Sequence, residues 1–579
     1  MDVQEMDAGY RLLVEQDVTI PMRDGIGLRA NLFRPDAPGR FPVIMTQGRY
    51  GKDIHFQEFT PPGYARLLAR HPEIGAGSSC QYMNWETVDP ECWVPQGYVV
   101  MRVDARGSGK SPGLLQAFSP REIRDFYDAI EWAAVQPWSN GKVGLLGISY
   151  YAISQWLVAS LQPPHLAAII PWEGAADSYR DMGHHGGIFS NRFVNAWWPK
   201  SLLSTQHGCD QSPFVDRQTG ERPTGPASLT AEQLKSNRVD YSAEQKAHPL
   251  DDAWHRERTA AFDQITVPLL SVGNWGGLGL HLRGNVEGYV RAASAHKWLR
   301  IDGGDHIGEF YLASGIALQR RFFDHFLKGQ ANGWEREPPI QLAIRRPDGI
   351  TMRGEQEWPL AGTRWTKYYL NAAGLEIDMQ QPTRPSQVEY PALGDGVTFT
   401  TAPFEAETEI TGPVRLRLWV ASSTDDMDLF ATVRAFDPLG DEVTFVGAND
   451  RQVPVAQGWL RVSHRKTDPC LSTPYRPYHT HDRVERLVPG ERYAVDVEIW
   501  PTSMVFPRGY RLGLTVQGKD FERGGSAGAF KGSGPFLHDD PDDRNAARFG
   551  GMHSIYTGGP HRSYLLLPII PPNRLPVRI

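Results

Sequence analysis

Val143-Gly144-Leu145-Leu146-Gly147-Ile148-Ser149-Tyr150-Tyr151-Ala152 decides how this chain of 579 residues is read. A short apolar run ends at a serine, and a stretch of helical character, 150–161, follows. A buried strand that turns sharply into a helix, with serine at the turn, is the setting of a nucleophile elbow. The turn lifts the hydroxyl above the sheet edge, where the helix N-terminus and the N–H of Tyr150 can stabilise an oxyanion. The competing reading is a serine that only caps an ordinary crossover helix. The pattern G-x-S-x-G is incomplete, because Tyr151 stands where the second glycine belongs.

The surroundings support a parallel sheet. Phe41–Thr46 and Tyr98–Val103 are short apolar runs of the kind that form buried parallel strands, and 26–34 alternates like a half-exposed one. Segment 51–97 between them, rich in Gly, Pro and aromatics, reads as a surface excursion. Ser119-Pro120-Arg121-Glu122 is a capping box with proline at the first helical position. His165–Pro171, Val267–Val272 and Lys297–Ile301 read as further strands, with helices at 281–293 and 313–328. Strand and helix in alternation predict an α/β fold. Residues 175–262 break that rhythm and read as a mostly helical cap insertion. From Glu337 period-2 strands dominate, for example Val414, Leu416, Leu418 and Val420. The expected organisation is a catalytic domain over 1–174 and 263–336, the cap over 175–262, and a C-terminal jelly-roll β-sandwich over 337–579.

Composition bounds the function. The chain weighs 64.8 kDa and is 40 % apolar, enough for large cores. Sixty basic against 67 acidic residues give a net charge of −7, with no basic stripe to suggest a nucleic-acid partner. No apolar run has the length of a membrane span, and the N-terminus lacks the pattern of a signal peptide. Four scattered cysteines form no CxxC pair, so a cytoplasmic location without a zinc site is expected. Gly109-Lys110-Ser111 suggests a phosphate-binding loop, but such a loop needs glycine at position 104, which is Asp.

These segments together resemble a family of α/β-hydrolases that includes cocaine esterase, X-Pro dipeptidyl-peptidases and α-amino-acid ester hydrolases. Ile20–Gly25 resembles the family's opening and Asp104–Gly113 its arginine-glycine loop. Gly147–Trp156 is similar to its elbow, with Ala152 replacing a glycine. Phe430–Asp437 and Tyr510–Val516 look like strands of its C-terminal jelly roll. The resemblance implies a second oxyanion donor in the hydroxyl of Tyr50, within Gln47–Lys52. It implies a general base in His306, within Ile301–His306; His281 and the pair His184-His185 compete for that place.

The acid departs from the family's pattern. Gly277, in Trp275-Gly276-Gly277, occupies the position of its aspartate. Glu173, just past the strand after the nucleophile helix, could replace it, because the carboxyl ends of neighbouring parallel strands converge on one edge. Asp302, Asp305 or no acid at all are the alternatives. The function so implied is a serine hydrolase that cleaves a carboxylic ester or amide of a small molecule through an acyl-enzyme. It would use Ser149, His306 and Glu173, with Tyr50 and Tyr150 at the oxyanion and no metal or organic cofactor. An X-Pro aminopeptidase and a catalytically impaired binding module are the rivals. Oligomeric state, a homo-oligomer included, stays open.

Overall fold

Uninterrupted burial makes the first strands. All eight residues of Phe41–Gly48 are buried, as are the last six of Ser139–Ile148, so both lie inside a sheet covered on its two faces. The computed structural model describes residues 9–524 and 531–572. The N-terminal residues read for a signal sequence lie partly outside this range. Ten strands form the first sheet. They are β1 (Leu12–Pro21), β2 (Gly27–Pro35), β3 (Phe41–Gly48), β4 (Val99–Asp104), β5 (Ser139–Ile148), β6 (Leu166–Trp172), β7 (Leu269–Asn274), β8 (Lys297–Asp302), β9 (Ile340–Arg346) and β10 (Gly349–Glu355). Their spatial order is β1-β2-β4-β3-β5-β6-β7-β8-β9-β10. From β4 to β9 every neighbouring pair is parallel. The carboxyl ends of β3, β5, β6, β7 and β8 therefore open on one edge of the sheet.

Crossover helices complete this layer. Ser119 caps Pro120–Ala134 by accepting from the Glu122 N–H. The helix Tyr150–Ala159 is buried along its whole length, and Ala313–Lys328 ends at Gly329 in the left-handed conformation. Two expectations change. The first sheet runs past residue 336, because β9 pairs with β8 and β10 with β9. Segment 51–97 is a surface excursion only over its middle, since its two ends are buried. Ile54, Phe56, Met83, Val88 and Trp93 are buried in it, and its end reaches the sheet edge where the Ile148 N–H donates to the Glu86 carbonyl.

Between β6 and β7 the chain makes short helical pieces, among them Asn191–Trp197, Ala231–Ser236 with a full capping box, and Tyr241–Ala247. The C-terminal strands join in one 12-stranded sheet that closes on itself through the pairing of Thr408–Ser422 with Tyr564–Ile570. The closure is barrel-like. Its alternating residues Val414, Leu416, Leu418 and Val420 all point into the core, as their period-2 spacing predicts. The C-terminal region also touches the catalytic edge. A side chain on Gly276 would run into the backbone of Gly447, and the Ala448 N–H donates to the Gly276 carbonyl. No helix among the described residues is long and apolar enough to cross a membrane.

Candidate active site

Ser149 stands at φ 57°, ψ −113°, between the end of β5 and its helix. That is a left-handed, strained position, the signature of a serine forced out of the strand at an elbow. Its N–H is held by the carbonyls of Trp172 and Glu173. Gly147 is required here, since a Cβ at that position would lie 2.5 Å from the Tyr151 Cβ. Ala152 is tolerated because Gly174 faces it without a side chain.

Two histidines stack above the serine, centroids 5.2 Å apart and rings within 7° of parallel. The ring that meets Ser149 is His281, whose Nε2 lies 3.2 Å from the Ser149 Oγ. His306, expected in that place, makes no hydrogen bond to Ser149. Its Nδ1 lies 2.8 Å from Glu173 Oε2 and its Nε2 2.9 Å from Glu86 Oε1. With both nitrogens occupied by carboxylates, it has no free lone pair to offer the nucleophile. Burial alone would lower the pKa of His306, but Glu173 and then Glu86 outweigh it and push it up to about 10. Burial lowers the pKa of His281, with Glu173 opposing and His306 reinforcing, so at neutral pH its ring is the uncharged one.

Glu173 emerges at φ 47° from the end of β6 and is fully enclosed. Burial favours its neutral form, but His306 and His281 more than compensate and keep it ionised. Its Oε2 also lies 3.7 Å from His281 Nδ1, longer than a hydrogen bond. The other acids considered go elsewhere. Asp302 pairs with Arg300 at 2.8 Å, and Asp305 pairs with Arg70 at 2.6 Å while accepting from the Gly308 N–H.

Tyr50 lies beside the elbow. Its hydroxyl accepts from Trp197 Nε1 at 3.1 Å and also contacts Ser149. Burial, reinforced by Glu86, raises its pKa well above the ordinary value, so it keeps its proton and can donate it. The Tyr150 side chain is turned away, donating to Glu122 at 2.7 Å and accepting from Arg49 at 2.9 Å. Its N–H, at the first position of the helix, has no intrahelical acceptor. Ser149 opens on two spaces. A cleft of about 440 Å³ reaches outward past Trp85, Glu86 and Lys200 to Asn449 of the C-terminal region. An inner recess of about 30 Å³ is walled by Phe118, Phe193, Trp197 and Tyr241. The cluster Glu173, His281 and His306 has the donor types of a metal site. The direct Glu173–His306 hydrogen bond accounts for its geometry without an ion.

Sequence reasoning missed Glu86 entirely, since an acid within Trp85-Glu86-Thr87 carries no motif. His281 had a signal in its place, four residues after Gly277 on the loop where the family pattern puts the acid.

Residues 24–308 match the family of X-Pro dipeptidyl-peptidases (S15 family), and residues 332–566 match the X-Pro dipeptidyl-peptidase C-terminal non-catalytic domain. The chain is 35 % identical to a CocE/NonD family hydrolase of Staphylococcus aureus of known structure, covering 97 % of this chain and 94 % of that one, with a TM-score of 0.83. It is 26 % identical to the cocaine esterase of Rhodococcus sp. (strain MB1 Bresler), over 98 % of this chain and 100 % of that one. It is 20 % identical to the Xaa-Pro dipeptidyl-peptidase of Streptococcus gordonii, over 86 % of this chain and 72 % of that one. An α-amino-acid ester hydrolase shares the fold, with a TM-score of 0.67 at 16 % identity.

Proposed function

From the premise that this chain belongs to the cocaine esterase and X-Pro dipeptidyl-peptidase family, and is a serine hydrolase, we propose that it cleaves a small carboxylic ester by way of an acyl-enzyme on Ser149. One observation carries the reading. A strained serine sits 3.2 Å from a ring nitrogen of a buried histidine, His281. In the proposed reaction the Ser149 Oγ attacks the carbonyl carbon and His281 Nε2 takes its proton. The Nδ1–H of the new imidazolium turns to Glu173 Oε2, closing the 3.7 Å gap as charge develops. Tyr50 and the Tyr150 N–H hold the oxyanion. His281 then protonates the leaving alkoxide, and water repeats the sequence to release the acid.

In this reading the general base is His281, in exchange for His306. The same loop that lost an acid at Gly277 supplies the base, and Glu173 supplies the acid from the neighbouring strand. The jelly-roll reading of the C-terminal domain belongs to this proposal and is supported by its antiparallel pairings. A cytoplasmic location belongs to it too, supported by four free cysteines.

The dipeptidyl-peptidase reading is the second. That reaction must receive a free α-ammonium on a carboxylate. The cleft's two carboxylates, Glu58 and Glu86, are paired with Arg217 and His306, while its Lys200 makes no ion pair among the described residues. This favours the ester. The test is a kinetic comparison of p-nitrophenyl esters with X-Pro anilides, joined to fluorophosphonate labelling. Ester turnover with label on Ser149, and loss of at least ~10³ in kcat in both Ser149→Ala and His281→Gln, is expected. Retained turnover in folded His281→Gln with loss in His306→Gln would return the base to His306. No labelling at all would favour a binding module.

A further inference from the structure

His306 has a carboxylate at each ring nitrogen, both at hydrogen-bond distance. A neutral imidazole owns one N–H, and ionised carboxylates only accept. Both bonds form together when the ring is an imidazolium. Resting on the reading of His281 as the base, we propose that His306, clamped between Glu86 and Glu173, is a standing cation that positions the Glu173 carboxylate and keeps His281 in its neutral form. Glu86 and His306 are then positioning residues, acting on the reacting atoms through Glu173 and His281.

The geometry supports each part. Glu173 Oε1 is held by Asn274 Nδ2 at 3.3 Å and Oε2 by His306 at 2.8 Å, so the carboxylate is fixed from two sides before substrate arrives. The cation stacks on His281 at 5.2 Å, and both rings are buried. A positive charge at that distance opposes protonation of its neighbour. Glu173 alone would do the reverse and raise the affinity of His281 for protons, leaving the base already protonated at mildly acidic pH. The pair Glu86–His306 offsets this while Glu173 remains available to the imidazolium that forms in the transition state. The direction of the shifts agrees, with His306 upward and His281 downward. Among the described residues, the other groups facing these rings supply no rival cation. Ser149 contacts His281, Tyr50 and Tyr151 face Glu86, and Asp302 near Glu173 is occupied by Arg300. Glu86 is itself anchored through its carbonyl to the Ile148 N–H, one residue before the nucleophile. The clamp and the elbow are therefore joined by a backbone hydrogen bond.

The test is the pH profile of kcat/KM for a p-nitrophenyl ester between pH 5 and 9, with nitrogen-15 NMR of histidine-labelled protein. His306→Gln removes the cation and keeps an amide that can reach Glu173. The expected result is an enzyme active at high pH whose acid limb has moved upward by about one pH unit. In the parent protein one histidine should show both ring nitrogens protonated at pH 8, and in Glu86→Gln that histidine should begin to titrate below pH 9. An unmoved acid limb in folded His306→Gln overturns the proposal, as does a parent spectrum with no doubly protonated histidine at pH 8. If His306→Gln is inactive at every pH, a positioning role is refuted. Inactivity there with turnover kept in His281→Gln shows that the base reading itself failed. Loss of activity in His281→Gln with an unmoved limb in His306→Gln leaves the base reading standing and removes only this inference. Should His306→Gln fail to fold, the Glu86→Gln spectrum decides.

Discussion

Replacing Tyr50 by Phe removes one oxygen from the site and little else. The ring stays wedged between Phe59, Tyr150 and Tyr151, with centroids 5.1, 5.8 and 5.7 Å away. The hydroxyl does two jobs: it accepts from Trp197 Nε1 and faces the oxygen of Ser149. Losing the first leaves an indole N–H without its acceptor, a cost of about 1 kcal/mol where the cleft can supply a water. In a chain of 579 residues that lowers Tm by less than about 2 °C. Losing the second removes a donor that strengthens only as the carbonyl becomes an alkoxide. Such a donor is worth ~10²–10³ in kcat, about 3–4 kcal/mol, with KM nearly unchanged. Steady-state kinetics on a p-nitrophenyl ester, with a thermal melt as the control, separates the two. A kcat within threefold of the parent at an unchanged Tm would refute the oxyanion role and leave Tyr50 as a hydrogen-bonded wall of the cleft. A collapse of Tm would show that the hydroxyl is structural.

Three further outcomes follow from the same geometry. Glu173→Gln keeps the bulk but removes the charge that both histidines face, and kcat should fall by ~10²–10⁴; a change under fivefold would remove Glu173 from the acid's role. Gly276→Ala drives a Cβ to within 2.2 Å of the Gly447 backbone, so the loop carrying His281 must shift. Ester turnover should drop by ~10² with slower fluorophosphonate labelling, since misplacement by about 1 Å costs that much; full activity would show that the domain contact does not set the His281 position. His553 is buried, both its ring nitrogens lack partners, and burial lowers its pKa to about 4. Its folded pKa lies below the unfolded value, so the unfolded chain binds the proton first and the parent loses stability as pH falls from ~6.5 towards 4. His553→Phe should therefore gain on the parent by about 1.4 kcal/mol per pH unit in that window; urea midpoints whose difference is flat with pH would contradict this.

Much was legible from local sequence because its cause is local. The run Val143–Ile148 is a buried strand by composition, Ser119 is a cap by chemistry, and Ala313–Lys328 is a helix by period. The spacing of glycine, serine and an apolar helix announces the elbow, and Ser149 stands at one. Alternation in Val414–Val420 names the inward face of a C-terminal strand for the same reason. The placing of Glu173 beside His306 also follows from chain order, since the carboxyl ends of adjacent parallel strands share an edge.

Which histidine meets the serine is not a local property. His281 and His306 both sit on loops after parallel strands, β7 and β8, and both reach the same edge. What separates them is the direction of a ring on a loop, and that depends on distant groups. Glu86 draws His306 away from Ser149 from a segment some 220 residues earlier, and Gly447 and Phe536 press the loop of His281 into place from the C-terminal region. Glu86 carries no motif because its role comes from burial against partners far along the chain, and burial of an acid in a segment rich in Gly and Pro has no periodicity to read. The sequence by itself determined the layers, the elbow and the edge where the chemistry gathers. Only the packing of three separated segments decided the charge and direction of each ring, because hydrogen bonds and desolvation act through space and not along the chain.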